Sequence, residues 1–313
     1  MQTSSTQDSA LPIDRCREFQ PPVSRWQAHL NLQLTTTKRG VVISHSSHCG
    51  PLYVQKAFYP EGRDLPHLYI LHPPGGLVSG DKLQIDISAA DNSKVLVTTP
   101  GAGRVYRART DKTLQQQIVR LTVQHNACIE WLPLETIIYP GANTRLDTKV
   151  TLVQGSSFIG WDICVLGLPA SGQKFTSGSL QQCLQIDIDG RIALRERLLL
   201  NENNRELVTS SCGFANRTVN ALMVAGPFNA GSELDALLQK LQQLCAEMAD
   251  STDTALPADS PALCSVSHCG EFILLRYLGH CAQQARLLFS NCWRELRPPL
   301  LGIPHCPPRI WAT

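Results

Sequence analysis

Hydrophobic residues recur at every second position from Trp26 to about Arg217, interrupted by turn residues and not by a helical period. No other feature constrains the fold as tightly, because a half-buried strand is what places alternate side chains on one face. In KLQIDIS at 82–88, Leu83, Ile85 and Ile87 share one face, and Lys82, Gln84 and Asp86 share the other. Similar runs stand at 95–99, 118–123 and 149–153. Two more, near 184–194, flank Asp189-Gly190, a two-residue hairpin signal. Many short strands with no helices between them predict a mainly β fold of stacked antiparallel sheets, not βαβ units.

The period changes in the last third. Behind Ser232, residues Leu234, Leu237, Leu238, Leu241, Leu244, Cys245 and Met248 form one stripe and predict an amphipathic helix. A loop rich in Pro, Ser and Asp over 250–261 precedes a strand at 271–278. A second helix follows at about 281–296, burying Ala285, Leu288, Phe289, Cys292, Trp293 and Leu296, with Pro298-Pro299 as its stop. Residues 1–25 read as a flexible polar tail. That leaves a single domain over 26–313, β-rich over 26–230 and helix-containing over 231–313.

A chain of 313 residues buries enough surface to fold without a disulfide or a metal. Its net charge of +2 is scattered, so no basic stripe suits a phosphate backbone, and nucleic acid is excluded as a partner. The N-terminus lacks the charged start and apolar core of a signal peptide, and no apolar run reaches a membrane span. A cytoplasmic protein is expected. Its 12 cysteines then read as reduced thiols, most of them buried as small apolar residues. No Cys-x-x-Cys occurs, but four His-Cys pairs do: His48-Cys49, His268-Cys269, His280-Cys281 and His305-Cys306. Each offers two ligands for a transition metal, although neighbours on a strand point to opposite faces.

The glycine-rich stretches at 73–80 and 100–104 lack the lysine of a P-loop and the third glycine of a dinucleotide fingerprint, and read as tight turns. No nucleophile elbow or metalloprotease motif is present, and no enzyme activity is expected. His72, in an apolar stretch, reads as a hydrogen-bonded structural residue. What stands out is carboxylates set in apolar strands: Asp81, Glu130, Glu135, Asp162 and Glu196. Buried carboxylates need arginine, lysine, backbone N–H groups or a metal. They either pair with residues such as Arg104, Arg107 or Arg195, or line a watered passage for a divalent cation.

The same stretches resemble a known family. PLYVQKAFYPE at 51–61, LHPPGGLVSGD at 71–81, TTPGAGRVYR at 98–107, EWLPLETIIYPGA at 130–142, GWDICVLG at 160–167 and the terminal PRIWAT at 308–313 are similar, in order, to motifs of the urease accessory protein D family. Ser79 stands where that pattern has a second glycine, and Lys56-Ala57 where Arg-Pro is common. The resemblance implies a layered, β-helix-like stack of sheets with two helices in the C-terminal third. It also implies a scaffold that binds apo-urease with accessory proteins F and G, the latter a nickel-carrying GTPase. Such a scaffold delivers Ni²⁺ to urease, by one proposal through an internal tunnel, with no tightly bound cofactor. On that reading Asp81, Asp162 and Glu196 are candidate tunnel carboxylates, with Glu130, Glu135 and His72 secondary. The alternatives are a nickel carrier or store using His-Cys pairs, His268-Cys269 and His305-Cys306 among them, and a hydrolase with a cysteine nucleophile.

Overall fold

The computed structural model describes residues 26–250 and 261–312; the tail and most of the 250–261 loop lie outside these. The chain opens with two hairpins, β1 (Gln27–Thr37) with β2 (Gly40–Cys49) and β3 (Tyr53–Phe58) with β4 (His67–Leu71). It then coils through β5 (Lys82–Ala89), β6 (Lys94–Thr98), β7 (Gly103–Val105), β8 (Gln115–Val123), β9 (Cys128–Trp131), β10 (Thr136–Ile138), β11 (Asn143–Leu152), β12 (Ser157–Leu166) and β13 (Ser179–Ile188). A hairpin returns it through β14 (Arg191–Leu200), where Asp189 and Gly190 take the positive φ of 48° and 78° that such a two-residue turn requires. β15 (Val219–Gly226), α1 (Ser232–Asp250), β16 (Leu263–Cys269), β17 (Phe272–Gly279) and α2 (Ala282–Leu301) complete it.

Two sheets result. The first has the order β14-β13-β11-β8-β5-β1-β2, and the second runs β16-β17-β15-β12-β9-β6-β4-β3, with β10 and β7 beside β12. The expected β-rich, helix-like stack with two helices is what forms, but its pairing is mixed and not antiparallel. β1, β5, β8, β11 and β13 are parallel neighbours, as are β4, β6, β9 and β12. The cause is the coiling: each link between parallel strands of one sheet passes through a strand of the other, so no crossover helix is needed. Period two alone does not distinguish this from a meander.

Three layers stack. The inner faces of the sheets bury Leu30, Leu32, Ile85, Ile87, Leu121, Val150, Ile186 and Phe158 against each other. The far face of the second sheet packs Ile159, Trp161, Ile163, Met223 and Leu275 against α1 and α2. Strands of the second sheet are therefore buried on both faces, and β9 is buried at all four positions. The helix α1 follows the leucine stripe, while α2 runs past Pro298 and Pro299 to Leu301 and ends on Gly302 at φ 70°, whose N–H donates to the Pro298 carbonyl. Burial of Arg297 and Leu301 against the sheet outweighs the proline stop.

Candidate functional site

The register of the first sheet assembles its inward side chains into rungs. The rung through Leu83 continues as Gln117, Leu146, Gln182 and Leu198; the next runs Ile85, Val119, Thr148, Leu184 and Glu196. A third, Ile87, Leu121, Val150, Ile186 and Leu194, is wholly apolar. Before the first of these lie buried Asp81, Gln115 and Thr144. Polar groups thus enter the space between the sheets along one side of the coil, in the rungs before the apolar one.

Opposite them, β12 alternates Ile159, Trp161 and Ile163 toward the helices with Phe158, Asp162 and Cys164 toward the first sheet. By the same alternation β15 contributes Asn220 and β17 contributes Arg276. Asp162, Gln182, Glu196, Asn220 and Arg276 line one cavity of about 180 Å³ between the sheets. Arg276 Nη2 donates to Glu196 Oε1 at 2.8 Å, from β17 of the second sheet to β14, the edge strand of the first. Asp162 has Gln182 as a hydrogen-bonding side chain; burial pushes its pKa up to about 6, and Gln182 offsets part of that. Such a cavity has room for water.

The structure therefore brings Asp162 and Glu196 together and leaves Asp81 elsewhere. Asp81 closes its own turn, accepting from Val78 N–H at 2.8 Å, and is buried at the start of β5. Nearby His72 lines a separate cleft of about 390 Å³ with Gly75, Gly76, Arg104 and Gln117. Burial lowers the pKa of His72 despite the Asp81 charge, and its buried Nε2 has no hydrogen-bond partner among the described residues. Gln117 in this cleft and Gln182 in the chamber lie on the same rung, with Leu146 between them.

Glu130 is different. It lies on the helix side of β9, 1% exposed, and accepts from Trp293 Nε1 at 2.6 Å and from Arg297 Nε and Nη2 at 3.1 and 3.0 Å. Arg297 also donates to both Glu61 oxygens, and Glu61 meets His67 Nε2 at 2.6 Å. Burial pulls the arginine down, but the two carboxylates raise its pKa overall. Burial likewise raises Glu61, yet His67 and Arg297 leave it lowered. Glu130 is thus a structural ion pair. Glu135 is half-buried, and its carbonyl accepts from Gly103 N–H at 2.8 Å.

Arg276 and Arg297 were not singled out from the sequence, and the expected partners Arg104, Arg107 and Arg195 do not hold these carboxylates. Both missed residues carry a signal: Arg276 falls on the apolar phase of Phe272, Leu274 and Leu278, and Arg297 lies one turn after Trp293 on the buried stripe. The His-Cys pairs do not converge. His268 and Cys269 are exposed at a strand end, His305 packs edge-on to Trp293, and among the described residues no three of His, Cys, Asp and Glu are placed to hold one ion. Four of the eleven described cysteines are buried, fewer than expected.

Comparison with known proteins adds the lineage. A family model described as UreD urease accessory protein matches residues 27–312. A urease accessory protein UreD of Marinomonas sp. (strain MWYL1) is 47% identical over 295 residues, covering 93% of this chain and 91% of that protein. One from Psychromonas ingrahamii is 38% identical, covering 93% and 96%, and one from Alkalilimnicola ehrlichii 36%, covering 93% and 94%. With a family match across all but the tail of the chain and relatives of this similarity over nearly their full lengths, this chain belongs to the UreD family of urease accessory proteins.

Proposed function

We propose that this chain is a non-catalytic, cytoplasmic maturation factor that binds apo-urease together with accessory proteins F and G and helps Ni²⁺ reach the urease active site. We further propose that the ion travels between the two sheets. The observation that carries this reading is the convergence of Asp162 and Glu196, from different sheets, on one polar, partly solvent-exposed cavity beside the apolar core.

The cation is cargo here, and the donor set suits it. Carboxylates, amide oxygens and water bind a divalent transition metal more weakly and exchange it more readily than thiolates would. Asp162 and Glu196 supply charge, while Gln182 and Asn220 supply neutral oxygens. At rest Arg276 neutralises Glu196, and an incoming cation takes its place. Asp81 and the unpartnered His72 Nε2 stand beside the neighbouring cleft as an entry or exit station, with Leu146 as the partition between the two spaces.

Two experiments test this. Urease co-expressed with F and G, with and without this chain, should yield nickel-loaded enzyme only with it, and a pull-down should recover the chain with its partners. In the same system Leu146→Phe should cut nickel loading several-fold while leaving the pull-down intact, and Leu146→Ala should not. Equal loading by Leu146→Phe and the unchanged protein would remove the inter-sheet route and leave the scaffold role standing.

A further inference from the structure

A larger cleft than either space on this route lies outside it. It measures about 820 Å³ and is built from three loops: 107–112 before β8, Gly141–Asn143 before β11, and Ser177–Ser179 before β13. Asn201, Glu202 and Asn203, beyond β14, form a fourth wall. This size matches ordinary small-molecule sites.

Its chemistry is cationic. Arg107, Arg109 and Lys112 line it, and Arg205 reaches its floor by donating Nη2 to the Gly178 carbonyl. Against these four stand Asp111, 3.6 Å from Arg109, and Glu202, 3.0 Å from Lys112. Arg107 makes no ion pair among the described residues, and the buried Nη1 of Arg205 has no hydrogen-bond partner. Arg107 therefore retains unused donors in the cleft, and Arg205 keeps one buried beneath its floor.

Both arginines pack against the walls of the cleft. Arg107 lies across Gly141, where an added Cβ would meet its Cγ and Nε at 3.0 Å, and Gly141 has φ +82°. Arg205 stacks on Phe175, its guanidinium 5.4 Å from the ring centre. A Cβ at Gly178 would meet the Ala142 carbonyl oxygen at 2.4 Å, so the floor is kept free of side chains by close backbone approach. Guanidinium forks over a small-residue floor suit planar, multiply charged oxyanions.

We propose that this cleft is a binding site for a small polyanion, a phosphate- or carboxylate-bearing molecule held between Arg107 and Arg205. The two ligand sources share their chemistry, and the test separates them. Isothermal titration of the full chain with pyrophosphate and, separately, with citrate should give saturable one-to-one binding of at least one, weakening as salt rises. The tighter probe then identifies the source. Arg107→Ala and Arg205→Met should each weaken binding about tenfold, the loss expected for one charge-assisted hydrogen bond. Arg107 is exposed, so its substitution leaves the fold intact, and a thermal melt verifies this. Arg145→Ala, an exposed arginine paired with Asp147 on the outer face of the first sheet, should bind as the unchanged protein does. Absence of saturable binding by both probes, or equal weakening by Arg145→Ala, overturns the site.

Discussion

The second sheet carries a carboxylate on each of its faces, and the two sit in opposite surroundings. On the helix side Glu130 is enclosed by Trp293 and Arg297, and Arg297 is shared with Glu61 and through it with His67. On the other side Asp162 has Gln182 and a cavity, and Arg276, which also lines that cavity, is paired with Glu196. The first carboxylate spends its hydrogen-bonding capacity on joining α2 to the sheet. The second keeps most of its capacity free and faces a space that admits water. Burial alone does not tell a structural acid from an available one; the count of donors around it does.

The largest effect that would sharpen this contrast is on stability. Arg297→Met leaves Glu130 as a buried charge without its cation and should destabilise the fold by about 3–5 kcal/mol in urea unfolding. Glu130→Gln leaves Arg297 paired with Glu61 and should cost less. A loss below about 1 kcal/mol in Arg297→Met, the worth of a surface pair, would break the comparison.

Asp162→Asn should act the other way. Its folded pKa, about 6, is raised above the ordinary 3.8, so burying the charged form costs stability as pH rises through that window. Below about pH 3 the acid is protonated in both states and the cost is absent; above about pH 6 it is nearly complete. The amide should therefore stabilise the protein by about 2–3 kcal/mol near pH 7 and by almost nothing near pH 3. Unfolding midpoints of the two proteins at both pH values check this, and a gain independent of pH would contradict it.

How far the sequence carried this contrast depends on the residue. The alternation in KLQIDIS and the Asp189-Gly190 turn announced the strands, and the leucine stripe announced α1, because each is a local pattern with one geometric solution. The parallel coiling was not legible, since period two states which face is buried and says nothing of which strand lies alongside. Asp162 and Glu196 were legible as acids in apolar runs, and Asp162 also as a position in a family motif. Their meeting was not, because it depends on a register running from β12 to β14 through two sheets. Glu130 looked the same as Asp162 for the same reason: its partner lies 167 residues away on α2.

The smallest stability effect is expected at Glu196→Gln. Its ion pair with Arg276 is a third or more exposed at both ends, so its loss should cost less than about 1 kcal/mol in the same urea assay. That near-neutrality makes it a clean probe of transit, since any large functional loss then cannot be a folding defect.

The most direct test of the central claim is the nickel content of urease matured with an Asp162→Asn, Glu196→Gln double variant at limiting nickel, with recovery of the complex with F, G and apo-urease measured alongside. The account predicts equal recovery and urease several-fold short of nickel. Fully loaded urease at equal recovery would mean that the chamber between the sheets carries no ion.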